Sequence, residues 1–441
     1  MGTPSDGTGR RAYLQAAGVA LATAVAGCGG MSEPSKESVI RPYRNRFEEI
    51  IDIGELDRDS AESVDTVVNR SIRDGTLLYF PPGTYRLSNL DLSHYSNCGL
   101  VGNESTLVVP AGEQGNWIYG EPVRDLVLDG FTFDYREPTA APVVAFSVAG
   151  GNNVLRNLTF KGSRGPYPRS GLELEVPKRS ASLLVERVYM RGGSRNGNAI
   201  FTHTGHGSLK FVDCHVEHWA EGLYASPHSG PLLVSGGTYA NNGIDQIRIG
   251  GGTTGARVEN ATVRMDDPQN SEAKPNMRGI WLEEGTNAVV DNCTIDITDL
   301  TGTYSSGGIV VETQFGSAKI TNTTIRTDRS VPAINIRVPT TEYDPETMPS
   351  MKRLPSDTHV SCENVSISGT ATDGTAVLLA GRNGCRFEDF SIHHPLGKRD
   401  GITIKSGRRT TISDARLRVS GVPIVTPGPM PTLRNVDLGG N

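Results

Sequence analysis

A seven-residue pattern recurs along most of this chain and restricts its fold more than any other feature. One template fits Val154-Leu-Arg-Asn157-Leu-Thr-Phe160, Lys210-Phe-Val-Asp213-Cys-His-Val216, Arg257-Val-Glu-Asn260-Ala-Thr-Val263, Val289-Val-Asp-Asn292-Cys-Thr-Ile295 and Lys319-Ile-Thr-Asn322-Thr-Thr-Ile325. It continues through Asn364, Asp389, Asp414 and Asn435 and starts loosely at Gly130. The central Asn, Asp or Gly tolerates the left-handed backbone that a sharp bend requires. Stacked Asn side chains at such bends form a ladder. The residues one and three places later, such as Ala261 and Val263, are apolar and point inward; the row between them, Thr159, Thr262, Thr294, Thr324 and Ser366, points outward. Copies recur at about 21 to 32 residues, the length of one solenoid coil.

A second strand follows most copies, usually opened by Gly or Ala: Gly171 to Glu175, Ala199 to His203, Gly222 to Ser226, Gly279 to Glu283, Gly308 to Glu312, Ala333 to Arg337 and Gly401 to Lys405, with Gln246 to Gly250 in the gap before Gly279. Short connections force successive copies to stack in parallel. Parallel strands joined without helices in one handed sense leave an all-β, single-stranded right-handed parallel β-helix as the product. Composition agrees, since 52 glycines and few aromatics do not suit long amphipathic helices. A net charge of -6 argues against nucleic acid as a partner.

Upstream, residues 59–73 place Val64, Val67, Val68 and Ile72 at helical spacing, which predicts a helix capping the open end of the core. The next stretch, Leu77-Leu-Tyr-Phe-Pro-Pro-Gly-Thr-Tyr85, resembles the first-coil signature of pectate-lyase-like β-helix proteins, including polygalacturonases and phage tailspikes. The resemblance covers residues 55 to 440 at the level of fold. It implies architecture and leaves activity open, because that superfamily holds lyases, hydrolases, epimerases, adhesins and tail fibres.

The start of the chain reads as an address. Arg10-Arg11 precedes an apolar, Ala-rich run, which resembles a Tat export signal, and Ala26-Gly27-Cys28 resembles a lipobox whose cysteine carries diacylglycerol. The expected organisation is a signal over 1–27, a flexible linker over 28–45, a cap and first coil over 46–95, and the helix proper over 96–441. The protein is expected outside the cell, tethered to the membrane through Cys28. Cys98, Cys214, Cys293, Cys362 and Cys385 give no disulfide framework, and Cys214 and Cys293 fall on inner rows as buried thiols. The Asn-x-Ser/Thr sequons at ladder positions are by-products of the repeat, which leaves Asn69 and Asn103 as the accessible ones.

Function is sought on the outward face of the second strands, which presents two columns. One carries Glu173, Phe201, Tyr224, Arg248, Trp281, Val310 and Asn335; the other carries Glu175, His203, Ser226, Gly250, Glu283, Glu312, Arg337 and Lys405. Aromatics beside charged groups suit a polysaccharide groove, because rings stack on sugar faces and charges orient hydroxyls or uronates. The leading expectation is a lyase or epimerase of an acidic glycan, with Arg248 and His203 as candidate bases. Arg337, or a cation such as Ca2+ held by Glu283 and Glu312, would stabilise the developing charge. Tyr224, Trp281, Phe201 and Lys405 would bind substrate. The bland alternative for Glu283, Glu312 and Arg337 is an ion-pair ladder, and for the whole face a non-catalytic glycan-binding or structural module. Gly205-His206-Gly207 and Arg248-Ile249 resemble polygalacturonase patterns, yet the aspartate motifs that such hydrolysis needs are missing.

Cys28→Ala is expected to abolish lipidation without altering the fold. Detergent partitioning and the mass of the mature N-terminus check this, and no change in either would remove the lipobox assignment.

Overall fold

The computed structural model describes residues 34–56, 63–268 and 276–439. Arg10, Arg11 and Cys28 lie outside the described residues. The body is an all-parallel β-solenoid of about 14 turns. Every strand pairs in parallel with its counterpart one coil on, so that Thr262 lies beside Thr294, Thr294 beside Thr324 and Thr324 beside Ser366. The outward Thr row is therefore one continuous column.

The bend positions carry the expected backbone. φ is 52° at Asn157, 57° at Asn260, 51° at Asn292 and Asn322, and 53° at Asn364. Asn292 donates to Asn260 Oδ1 at 2.6 Å and Asn364 to Asn322 Oδ1 at 2.8 Å, which builds the ladder across coils. Two coils escaped the template because their bends carry other residues: Arg187 adopts φ 50° and Gly236 φ 67° at the same register. The ladder is solvent-exposed, whereas Asn103 is 4% exposed and donates to Pro34 O and the Tyr79 hydroxyl. The expected accessibility of sequons is thus reversed for Asn103.

Inside, alternate strand residues form one continuous apolar core. Aromatic rings fill the first coils edge to face, with Trp117 and Phe160 each packed on Phe133 at 5.3 and 5.1 Å. The cap forms over Asp65–Ser71, and Val64, Val67, Val68 and Ile72 close the core's end. All five described cysteines are free and buried, and burial pushes the Cys214 thiol up to about 12, so it is an inert packing group.

The flexible linker expected over 28–45 is ordered structure from its middle onward. A short helix, Lys36–Ile40, is capped by Ser35 and leads into a turn, Arg41–Tyr43. Ile40, Tyr43 and Phe47 pack on Leu77, Tyr79, Val101 and Val127, apolar residues on the outward face of the first coils. The Tyr43 hydroxyl donates to Asp129 at 2.5 Å and accepts from Arg156 at 2.7 Å, fixing the strap. Its polar composition hid three large anchors.

Because the bend needs φ near 51° at Asn322, Asn322→Leu should cost about 1–2 kcal/mol from backbone strain. Thr324→Leu, on the exposed row, should change stability by less than about 0.5 kcal/mol. Urea unfolding of both variants decides the matter: equal losses would mean that the two rows are wrongly assigned.

Candidate functional site

Strand register fixes the two outward columns. Glu173, Phe201, Tyr224, Arg248, Trp281, Val310 and Asn335 follow one another in neighbouring coils, as the repeat implied. Leu378 and Thr403 extend the column, and Tyr119 and Ala145 precede it.

The middle of this face is closed by charge pairing. Arg248 donates through Nε and Nη2 to both oxygens of Glu283, at 2.6 and 2.7 Å, and through Nη1 to Glu221 at 3.0 Å. Its guanidinium lies 3.6 Å from the Tyr224 ring centre and 4.4 Å from that of Trp281. Burial works against its charge, but Glu221 and Glu283 outweigh that and hold its pKa above the ordinary arginine value. To accept a proton as a base, Arg248 would first have to lose its own, and the two carboxylates oppose that loss. Trp281 is not an open platform either. It is 8% exposed, has Arg278 at 3.4 Å from its ring centre, and donates through Nε1 to Glu312 at 3.1 Å.

Glu312 also accepts from Arg337 at 2.7 Å, and Arg278 pairs with the fully buried Asp245 at 2.5 Å. The carboxylates proposed for a cation, Glu283 and Glu312, are thus each neutralised by an arginine, and Arg337 is not free to stabilise substrate charge. The ion-pair ladder is the reading that these distances support. Gly250 makes it possible. Glu283 and Ser226 flank Gly250 in the second column, and with no side chain between them the Ser226 hydroxyl reaches Glu283 at 2.5 Å. A Cβ at Gly250 would lie 2.2 Å from Ser226 O.

The insertion at residues 338–357 stands beside this ladder. Arg382, fully buried, donates to Arg337 O at 2.9 Å and Thr358 O at 3.0 Å and so clamps both its ends. Ser350 in its middle donates through its amide and hydroxyl to Glu284, whose carboxyl burial pushes up to about 7. In Gly205-His206-Gly207, a Cβ on either glycine would lie within 2.6 Å of a Val176 atom, and His206 Nδ1 contacts Ser229 Oγ at 2.7 Å. That motif is a packed turn.

Toward the N-terminus the face opens. Asn116, Tyr119, Glu121, Ser147, Arg169, Glu173, Glu175 and His203 line a cleft of about 390 Å³. Arg169, from the insertion at 161–170, reaches Glu173 at 2.8 Å and Asn116 Oδ1 at 2.9 Å. Arg164 in the same insertion is buried and donates to Arg169 O at 2.9 Å and Ala141 O at 2.8 Å, which holds that wall in place. The Ser147 hydroxyl donates to Glu175 at 2.6 Å, and Phe201 packs edge-on to His203 at 4.8 Å and to Tyr224 at 5.0 Å. Of the expected site residues the structure brings His203 to the cleft and places Phe201 at its margin. Tyr224 is half-buried under Arg248, and Lys405 stands exposed several coils away. Asn116, Tyr119 and Ser147 were missed because the coils carrying them precede the regular repeat, and Arg169 because it stands in an insertion; the alternation in Trp117-Ile118-Tyr119 and Val144 to Val148 is the signal that points to the first three.

A family model described as the right handed beta helix region matches residues 198–337. Among solved structures, the surface protein and adhesin PfbA of Streptococcus pneumoniae aligns at TM-score 0.47 and 12% identity, covering 86% of this chain and 100% of that one. A PL6 alginate lyase in complex with a trisaccharide aligns at TM-score 0.38 and 13% identity, covering 89% of this chain and 85% of that one. Pectate lyase Pel9A aligns at TM-score 0.37 and 13% identity, covering 74% and 77%. No curated protein matches in sequence. The coil geometry and the family match over residues 198–337 together make this chain a right-handed parallel β-helix.

Since Arg248 holds two carboxylates on a face with little solvent, Arg248→Met should lower stability by about 3 kcal/mol by leaving those charges unpaired. Chemical denaturation measures this. A variant as stable as the parent would return Arg248 to the list of free functional groups.

Proposed function

We propose that this chain binds a polysaccharide in the cleft between Tyr119 and His203 and cleaves it by general acid–base catalysis. The observation that carries the reading is the placement of Glu173, Glu175 and His203 around one open polar cleft. The cleft crosses four coils, from that of Tyr119 to that of His203, a length of about 14 Å that suits a short oligosaccharide. Tyr119 and Phe201 offer ring surface at its two ends for stacking.

Glu173 and Glu175 lie two residues apart on one strand, Leu172–Glu175. Their backbones are then about 6.6 Å apart and both side chains leave the same face, as two carboxyl groups flanking one glycosidic bond require. Glu173, ion-paired with Arg169, is placed to activate water. Glu175, bonded to Ser147 and one coil from His203, is placed to protonate the leaving oxygen, with His203 as its proton partner. Solved β-helix proteins at low identity include lyases that act on alginate and pectate, and these lend the glycan reading its precedent.

The acidic-glycan lyase or epimerase reading fits this geometry less well. Removing a proton beside a uronate carboxylate needs a free cation to steady the charge, and Arg248 and Arg337 are already paired. A non-catalytic binding module is supported by the ion-paired ladder, which makes the middle of the face stiff and chemically closed. Export through the twin-arginine route and tethering at Cys28 are part of the proposal and rest on the sequence alone.

Glu175→Gln is expected to lower turnover by at least about 100-fold while leaving glycan binding intact, and His203→Asn to lower it less. Incubation with a polysaccharide panel, reading new reducing ends and unsaturated ends separately, tests the proposal. Unsaturated products would replace hydrolysis by elimination; binding without either product would leave a lectin-like module; no binding would end the glycan reading.

A further inference from the structure

The cleft is not electrically neutral, and its surplus identifies what it can hold. Three carboxylates line it, those of Glu121, Glu173 and Glu175, against one guanidinium, that of Arg169. Arg169 is committed to Glu173 at 2.8 Å and to Asn116 at 2.9 Å. Among the described residues Glu175 bonds to the neutral Ser147 hydroxyl alone, at 2.6 Å. Among the described residues Glu121 has no ion-pair partner, although its backbone amide is fixed by Ser93 Oγ at 3.0 Å. Just outside the lining, the Tyr119 hydroxyl donates to Asp91, one coil earlier in the same column, which adds a further carboxylate at that end.

The rest of this face shows how far the cleft departs from the local rule. Glu221, Glu283, Glu312 and Asp245 each have an arginine within 3.0 Å. Where the columns are closed, charge is compensated within the protein. Where they open, it is not, and the compensating charge must come from solvent or ligand. A concave polar site with uncompensated carboxylates attracts cations and rejects anions, and its low-dielectric walls sharpen that preference.

We infer that the cleft selects a glycan bearing free amino groups, with an ammonium group of the sugar seated against Glu121. A polymer of amino sugars supplies hydroxyls for Asn116, Ser147 and His203 and one positive charge per deacetylated ring. Uronate chains would bring carboxylates against carboxylates. This assignment rests on the cleft being the glycan site, and it goes beyond that reading by fixing the sign of the ligand's charge.

The test is isothermal calorimetry on the full chain with three oligosaccharides of equal length: glucosamine oligomers, their fully N-acetylated counterparts and oligouronates, at mildly acidic pH where the amines are protonated. The glucosamine oligomer should bind about tenfold tighter than the acetylated one at low salt, and the advantage should shrink as salt screens it. Glu121→Gln should reduce that advantage while leaving the acetylated oligomer's affinity unchanged. Equal affinity for the amino and acetylated forms at every salt concentration would overturn the charge assignment and leave the glycan site standing. Tighter binding of oligouronate would overturn it as well. Binding of none of the three would remove the inference together with the glycan site on which it rests.

Discussion

Everything on the surface of this molecule depends on one constraint: coils stack about 4.8 Å apart, so each outward side chain has a near neighbour above and below at the same register. A column of like charges is untenable at that spacing. The chain solves this where it can by interleaving. Arg248 sits one coil after Tyr224 and one before Trp281, and its guanidinium turns aside to reach Glu221 and Glu283. Glu312 and Arg337 repeat the solution in the next coils. Elsewhere the columns are kept neutral, as in the run Thr262, Thr294, Thr324 and Ser366, where stacking has no electrostatic cost.

The fold was legible because the bend imposes a conformation few residues accept. A left-handed backbone at the same place in each coil selects Asn, Asp and Gly, and that selection survives where little else does. The coils at Arg187 and Gly236 show its limit: arginine gives no hint of φ 50°, and a glycine pair looks like any turn. The leading segment was misread for a different reason. Residues 34–45 are rich in Pro, Ser and charge, which is what a spacer looks like, yet Ile40 and Tyr43 suffice to bind it to Leu77 and Val101.

The candidate site was legible in register and not in chemistry. The column from Glu173 to Asn335 could be written down from the repeat, but exposure could not. Aromatic residues beside arginine and glutamate describe a sugar groove and a cation–π stack equally well, because both need flat rings next to charge. Only distance separates them, and Arg278 at 3.4 Å from the Trp281 ring centre, with Arg248 at 4.4 Å, decides for the stack. The open cleft lay upstream, where the Gly-initiated strand pattern is only beginning and the coils of Tyr119 and Ser147 come before it. Its wall is an insertion, and insertions carry no periodicity from which the reach of Arg169 could be read.

Gly250 marks the boundary between the two regimes. Any side chain there would strike Ser226 O and the backbone of Glu284, so the second column has a gap at this coil. Glu283 leans across the gap to meet Arg248 and the Ser226 hydroxyl, which draws its charge into the closed part of the face. On the other side of the gap, Glu173 and Glu175 have only Arg169 between them, and that arginine arrives from a loop and not from a neighbouring coil. The regular lattice therefore consumes its own charges, while the irregular coils leave some unspent. The proposed site, the cleft in front of His203, lies where the repeat fails to satisfy its own charges.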